Sequence, residues 1–298
     1  MLPDTQPRRP RRSSGCRTRL FFIVFGLIMT PVFLCGLSLL AYLLFPPSQI
    51  DILIMGLDSR AGQGMVSRSD SVMLVGVDPA LLRVSVLSIP RDLHLEVPNY
   101  GMQSINTVNM LGEMEQPGSG PALLSASIAQ SFGVQPERYV RLDFAGFVEL
   151  IDAVGGVTIY VDRVIVDDAY PTEDGGVISV RFESGMQYMD GERALIYART
   201  RHADDDYRRA ERQQQVLSAL AGRLANPVNW LRVLSVLAQR LDTNMTLWDM
   251  ATLAPPVLLN AGRFEQLVIN RDFILGTAEG YAVPDYARIA PWLQGRFD

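Results

Sequence analysis

Four clusters of charged and polar residues have the types and spacing to do chemistry, and each sits where an apolar run begins or ends. Gly56-Leu57-Asp58-Ser59-Arg60 closes the apolar run over 50–57, and Arg68-Ser69-Asp70-Ser71 opens the next. Asp58 and Asp70 could together hold a hard cation such as Mg2+, which takes one or two carboxylates and fills its shell with water and phosphate oxygens. The same two residues also suit turn and helix caps, the reading that isolated aspartates favour. The third cluster, Ser88-Ile89-Pro90-Arg91-Asp92, projects an adjacent cation and anion from a strand end, for a ligand or for each other.

The fourth cluster is Arg199-Thr200-Arg201 followed by Asp206-Tyr207-Arg208-Arg209-Ala210-Glu211-Arg212-Gln213. Arg199 and Arg201 share a face only if the chain is extended between them, because i,i+2 positions on a helix point apart. At about 100° per residue, Arg209, Gln213, Val216 and Leu220 fall in one narrow arc, which turns Arg209 and Gln213 toward the apolar side of their helix. An arginine there is costly without a partner, so Arg209 points to a buried anion site in preference to a structural network. Arg208 and Glu211 fit an ordinary solvated face.

These clusters need elements to position them. Residues 50–57 form a near-continuous apolar run, the pattern of a strand covered on both faces. Strands are expected at 71–77 and 83–89, joined by a turn at Asp78-Pro79-Ala80-Leu81. Residues 121–132 and 145–154 read as helices, with strands at 139–144 and 157–161 around the second and Gly155-Gly156 as its stop. Residues 164–184 are acidic and turn-rich. Asp190 reads as the N-cap of a helix through Ala198, a longer helix covers 205–224, and two apolar helices (227–241, 246–260) precede a strand at 266–270. His94 belongs on the surface of an alternating strand whose apolar face is Leu93, Leu95 and Val97. Strands alternating with helices imply a three-layer α/β/α domain around a central mixed sheet, in which ligands bind beyond the carboxyl ends of strands. No repeat and no second domain boundary is visible.

The segment over 20–45 carries no charge, and at helical rise it spans roughly 39 Å, more than a bilayer's hydrocarbon core. It is too long for a signal peptide and ends in Phe45-Pro46-Pro47, so it is expected to be an uncleaved membrane helix. Residues 1–19 hold six arginines against Asp4, a charge of about +5, whereas the remainder is about −10. By the positive-inside rule the organisation is a cytoplasmic tail (1–19), a membrane helix (20–45), a linker (46–49) and an extracytoplasmic domain (50–298). An acidic body argues against nucleic acid as a partner. The only cysteines are Cys16 and Cys35, so the outer domain has neither a disulfide framework nor thiol chemistry. Two histidines, His94 and His202, leave little for a zinc site or a Ser–His–Asp triad, and no P-loop or GxGxxG motif appears. All 27 basic residues are arginine, whose planar fork suits phosphate, although codon usage in a GC-rich genome gives the same bias.

A membrane helix followed in order by GxDxR, RSDS, SIPRD, Ile105-Asn106, Asp143-Phe144-Ala145-Gly146-Phe147, Asp152-Ala153-Val154-Gly155-Gly156-Val157, Asp190-Gly191-Glu192-Arg193-Ala194-Leu195-Ile196-Tyr197 and DxxRxxRQ resembles the LytR–CpsA–Psr family of bacterial cell-wall proteins. The resemblance covers about residues 50–225. It implies a Mg2+-dependent phosphotransferase that moves a glycopolymer from a polyprenyl-diphosphate carrier to a peptidoglycan hydroxyl outside the cytoplasmic membrane. Carried over by motif, Asp58 and Asp70 match the metal ligands. Arg68, Arg91, Arg199, Arg201, Arg209 and Gln213, with Asn106, match the pyrophosphate-binding set. Arg91 and Asp92 are the candidates for catalysis, Asp92 as general base through its adjacency to Arg91. The family's tunnel for the lipid tail would lie between sheet and helices, against those of 205–260. Rival readings are a diphosphate hydrolase and a non-catalytic polyprenyl-phosphate binder; a transcriptional regulator fails on topology, since only about 19 residues face the cytoplasm. Two departures stand out. Ser104-Ile105-Asn106-Thr107-Val108-Asn109 replaces the usual Asn-Ala-Ala-Tyr continuation, and Leu111-Gly112-Glu113 stands where a glycine pair is usual, so the rim over 99–120 is expected to be shaped differently.

Overall fold

The computed structural model describes residues 15–59, 64–172, 175–200, 206–260, 262–276 and 279–297. It divides into two compact units, Met1–Pro47 and Ser48–Asp298. The first holds one helix, α1 (Gly15–Leu44), which continues through Pro31. Its Phe21–Leu44 stretch is long and apolar enough to cross a membrane, with a mean hydropathy of 2.4 and none of it buried.

The second unit is built on β1 (Ile50–Leu57), β2 (Ser69–Asp78) and β3 (Arg83–Ile89), an antiparallel meander at the middle of a six-stranded sheet. A hairpin follows, β4 (His94–Val97) and β5 (Gly101–Ser104), then α2 (Ile105–Glu115), α3 (Gly120–Phe132), β6 (Arg138–Leu142) and α4 (Phe144–Ala153). Next come β7 (Val157–Val161), the hairpin of β8 (Ile165–Pro171) and β9 (Val177–Phe182), β10 (Gly185–Met189), α5 (Gly191–Arg199) and α6 (Asp206–Leu224). The chain finishes with α7 (Trp230–Arg240), β11 (Asp242–Thr243), α8 (Leu247–Asn260), β12 (Glu265–Val268), β13 (Ile274–Gly276), β14 (Ala282–Pro284) and α9 (Tyr286–Leu293).

The central sheet has the order β11-β6-β1-β2-β3-β12. β6 runs parallel to β1 and β12 parallel to β3, while the remaining pairs are antiparallel, so the sheet is mixed. Successive side chains alternate between its faces. Leu53, Met55, Leu74 and Leu87 pack with Ile105 and Val108 of α2, Leu124 and Ile128 of α3 and Ile289 of α9. Ile52, Met73, Val75 and Val86 pack with Leu217 of α6 and Leu253 of α8. Helices on both faces make the expected three layers and explain why Ile50–Leu57 reads as nearly continuous apolar sequence. A separate cluster joins Ile151, Val157, Phe182, Tyr197 and Val216 under the β7–β10 segment.

Local signals hold where a side chain can act on its own backbone. Asp190 accepts from the Arg193 N–H at 2.8 Å and starts α5. Asp78 accepts from Ala80 and Leu81 N–H groups and makes the β2–β3 turn. Gly155 and Gly156 end α4 with φ of 75° and 74°, a left-handed backbone that glycine alone enters without strain. Two readings need correction. The strand expected over 139–144 stops at Leu142, because Asp143 accepts from the Gly146 N–H and caps α4. The turn-rich stretch over 164–184 contains the β8–β9 hairpin, whose Tyr170, Val180 and Phe182 are buried. The rim over 99–120, for which the sequence suggested no elements of its own, is built from β5 and α2.

Candidate active site

Strand register assembles the first half of the site. β2 and β3 pair Val72 with Ile89, so two residues further on the same antiparallel ladder sets Arg91 opposite Asp70. The Arg91 guanidinium lies 3.1 Å from the Asp70 carboxylate and 3.5 Å from that of exposed Asp92. The carbonyl of Arg91 accepts from the Ser104 hydroxyl and the Asn106 N–H, which seats the start of α2 against it and leaves Asn106 buried at the same rim. At the end of β1, the Asp58 N–H donates to the Arg68 carbonyl at 2.9 Å and the Asp58 carbonyl accepts from the Ser67 hydroxyl at 2.7 Å. The two ends of the intervening loop are thereby clamped, with Asp58 and Arg68 side by side.

The second half comes from α5 and α6. Arg199 is the last residue of α5; its guanidinium stands 4.0 Å over the Phe144 ring, donates to the Tyr170 hydroxyl at 3.1 Å and lies 3.9 Å from Asp58. An aromatic face beneath a guanidinium holds its plane while leaving its edge for a ligand. Burial pushes the Tyr170 phenol above its ordinary pKa even though Arg199 pulls it down, so it stays a neutral acceptor for Arg199. Buried Arg212 donates to the carbonyls of Tyr197 and Thr200, which joins α6 to the end of α5. On the neighbouring turn Arg209 is 5% exposed, and Gln213 accepts from the Ser71 hydroxyl at 3.0 Å. The inward face expected for Arg209, Gln213, Val216 and Leu220 is therefore the observed one, and Arg208 and Glu211 pair outside at 2.9 Å.

The two halves meet at one cavity of about 690 Å3 between the sheet and α4–α8. Asp58, Arg68, Asp70, Arg91, Asp92, Asn106, Arg199, Arg209 and Gln213 line its polar part; Arg201 lies outside the described residues. Beyond them the lining turns apolar, with Ile54, Met73 and Val140 from the sheet and Phe147, Leu217, Leu220, Leu237 and Met250 from the helices. A charged mouth on an apolar chamber is complementary to an anionic amphiphile. Asp58 and Asp70 lie at the mouth beside Arg199 and Arg91, at 3.9 and 3.1 Å, with Asp92 more exposed next to Arg91. Among the described residues no group of three or more His, Cys, Asp or Glu is placed to hold a metal ion. The donor set therefore fits a Mg2+ ion shared with a phosphate ligand better than one held in an all-protein cage.

Sequence reasoning missed the supports. Phe144 and Tyr170 hold Arg199 but sit in segments whose motifs give no sign of it. Behind the rim, Asn109 donates to the Met65 and Ser67 carbonyls, at 3.1 and 2.9 Å, and accepts from Arg141 at 3.0 Å. Arg141 is 3% exposed and pairs with Glu113 at 2.6 Å and Asp242 at 2.7 Å. Burial raises the Glu113 pKa, but the Gly118 N–H, Arg141 and the Gly120 N–H outweigh it, so the carboxyl lies below its usual range. Asn109 and Glu113 occupy the positions where the chain departs from the Asn-Ala-Ala-Tyr and glycine-pair pattern. They form a network that carries the loop leading to Arg68.

A family model described as the LytR_cpsA_psr family matches residues 46–287. Over 209 residues the chain is 32% identical to the polyisoprenyl-teichoic acid–peptidoglycan teichoic acid transferase TagU of Oceanobacillus iheyensis, covering 68% of this chain and 61% of the relative. Over 203 residues it is 32% identical to the regulatory protein MsrR of Staphylococcus aureus, covering 66% of this chain and 57% of that protein. The chain thus spans under two thirds of either relative's length. Among solved structures, TagV of Bacillus subtilis superposes with a TM-score of 0.67 at 24% identity, covering 84% of this chain and 97% of that one. A structure of TagT bound to LIIa-WTA superposes at 0.63 and 21% identity, covering 84% and 91%. At these identities the structures share the fold.

Proposed function

The chain belongs to the LytR–CpsA–Psr family, and from that premise we propose that it is a phosphotransferase moving a glycopolymer from a polyprenyl-diphosphate carrier to a peptidoglycan hydroxyl. The observation that carries this reading is a mouth lined by Arg68, Arg91, Arg199 and Arg209 that leads straight into an apolar chamber. A lipid-linked diphosphate has matching parts: an anionic head and a hydrocarbon tail. The teichoic acid transferase activity in the name of the TagU relative supports the same class of cargo and acceptor.

A diphosphate diester carries about two negative charges, and more develops on the leaving phosphate as the bond breaks. Arginines fixed before the reaction stabilise that charge without reorganising. Arg199, held by Phe144 and Tyr170, and Arg91, held by Asp70, are such groups. Asp58 and Asp70 are the residues that would hold Mg2+, which supplies further positive charge to the diphosphate when bound. The acceptor oxygen bonds to the sugar-side phosphorus as the bond to the polyprenyl phosphate breaks, and the hydroxyl proton passes to Asp92. Asp92 suits this role because it is exposed at the mouth beside Arg91. The arginine-rich tail and α1 support a single-pass protein of the cell membrane, with its N-terminus cytoplasmic and its second unit outside.

Arg91→Ala and Arg199→Ala should each lower transfer of a radiolabelled lipid-linked glycan to peptidoglycan by roughly 100-fold or more, with unfolding midpoints close to wild type. Transfer at the wild-type rate in both variants would overturn the assignment. With acceptor omitted, release of free glycan phosphate at the full rate would mark a hydrolase instead.

A further inference from the structure

The helices that wall the apolar end of the cavity are apolar on their outer faces as well. α7 contributes Leu237 to the cavity and packs Val233 and Val236 toward α4, yet Leu231 is 82% exposed and Leu234 49%. At about 100° per residue its apolar positions sweep roughly 200°, about twice the stripe that one packed face requires. α8 contributes Met250 to the cavity and Leu253 to the core, while Leu247, Trp248, Ala251 and Leu259 face out. Its outward stripe contains no charge. A helix that is apolar well beyond the face it packs needs a second apolar neighbour, and these two are buried on one side only.

The exposed charge around them is mostly positive. Between Arg212 and Asp249 the sequence contains Arg223, Arg232 and Arg240 and a single acid, Asp242, which is engaged by Arg141; Arg240 is itself paired with Glu149 of α4 at 2.7 Å. Arg223 and Arg232 are exposed, and the Arg223 guanidinium donates to the Gly155 carbonyl at 3.0 Å. Apolar residues flanked by arginines, with a tryptophan among them, are the composition of a surface that lies in the headgroup region of an anionic bilayer. A partner protein of ordinary composition has no need of this combination, and the same chain carries a candidate membrane span.

We propose that the outer faces of α7 and α8 dock on an anionic lipid bilayer, with Leu231, Leu234, Leu247 and Trp248 entering the acyl boundary and Arg223 and Arg232 meeting the headgroups. This goes beyond the transferase reading and stands without it. Taken together with that reading, it gives the apolar end of the cavity a route to a lipid tail that avoids water.

The native tryptophans make the test direct. The chain has three, Trp230, Trp248 and Trp292; none lies in α1, and Trp292 packs against the core as an internal control. The full chain is reconstituted in phosphatidylethanolamine–phosphatidylglycerol vesicles whose acyl chains are brominated near the headgroup, and emission is recorded. The variant that keeps only Trp248 (Trp230→Phe with Trp292→Phe) should be quenched about twofold or more, and less when phosphatidylcholine replaces phosphatidylglycerol. The variant that keeps only Trp292 (Trp230→Phe with Trp248→Phe) should keep its emission. Equal, weak quenching of the two variants would overturn the proposal. So would quenching of Trp248 that disappears as protein concentration rises, which would mean that a second copy covers this face. Neither outcome involves turnover, so docking can fail while the transferase reading stands, and the reverse.

Discussion

Arg209 shows most clearly how a single residue can be read for function. It is a cation on the inner face of α6, 5% exposed, and it opens onto the cavity beside Gln213. A charge kept at such a place for ligand binding costs stability, because hydrocarbon of similar volume would suit the site better. Arg209→Met should therefore leave the thermal midpoint unchanged or raise it while transfer activity collapses. A fall of several degrees in the midpoint would make Arg209 a structural residue instead. Arg199 differs: its aromatic seat on Phe144 and its bond to Tyr170 are interactions within the fold, and they set the plane in which its free edge meets a ligand.

At the scale of elements, two ion pairs tie helices to β6. Arg141 of β6 and Glu113 of α2 are both nearly inaccessible, and the pair underlies the loop that Asn109 holds. Removing one partner of a buried pair strands the other charge, so Arg141→Ala should lose roughly 3–5 kcal/mol in urea unfolding. On the opposite side of β6, Arg138 donates to Asp249 at 2.8 Å, and Asp249 also accepts from the Thr246 N–H at the start of α8. The Arg138 hydrogen bond, with those from Thr246, holds the Asp249 carboxyl below its ordinary pKa against the opposing cost of burial. The folded value lies below the unfolded one, so this contribution is complete above about pH 5 and is lost as pH falls through roughly 4 and below. The stability difference between wild type and Asp249→Asn should shrink accordingly between pH 6 and pH 3, measured by urea unfolding.

At the scale of the molecule, the cavity joins surfaces from β1, β2 and β6 to α4–α8 and is the feature on which both proposals bear. Its apolar end is bounded by α7 and α8, so a bulkier side chain there shortens the chamber without touching the charged mouth. Met250→Trp should leave transfer from a short-chain donor near wild type and lower kcat/KM for a long-chain donor by about tenfold, the effect of losing contact with one or two isoprene units. Equal rates for both donors would mean that the tail does not occupy this end.

Much of this was legible in the residues alone. Apolar patterning determined the six main sheet and helix assignments around β1–β3 and α4–α6, because period-2 and period-3.6 repeats act through local geometry. Asp190 and Gly155-Gly156 marked boundaries through their own backbone contacts, and the arc of Arg209 and Gln213 followed from helical spacing. The β8–β9 hairpin was not legible, since its acidic residues resemble a loop until tertiary packing buries Tyr170 and Phe182. Nor were the seat of Arg199 on Phe144 or the network of Asn109, Glu113, Arg141 and Asp242, whose members lie up to 133 positions apart along the chain. Side-chain type and local periodicity are properties of neighbours in sequence. Which charge faces which, and whether a helix's second apolar face is covered, depends on contacts between elements that only the assembled fold brings together.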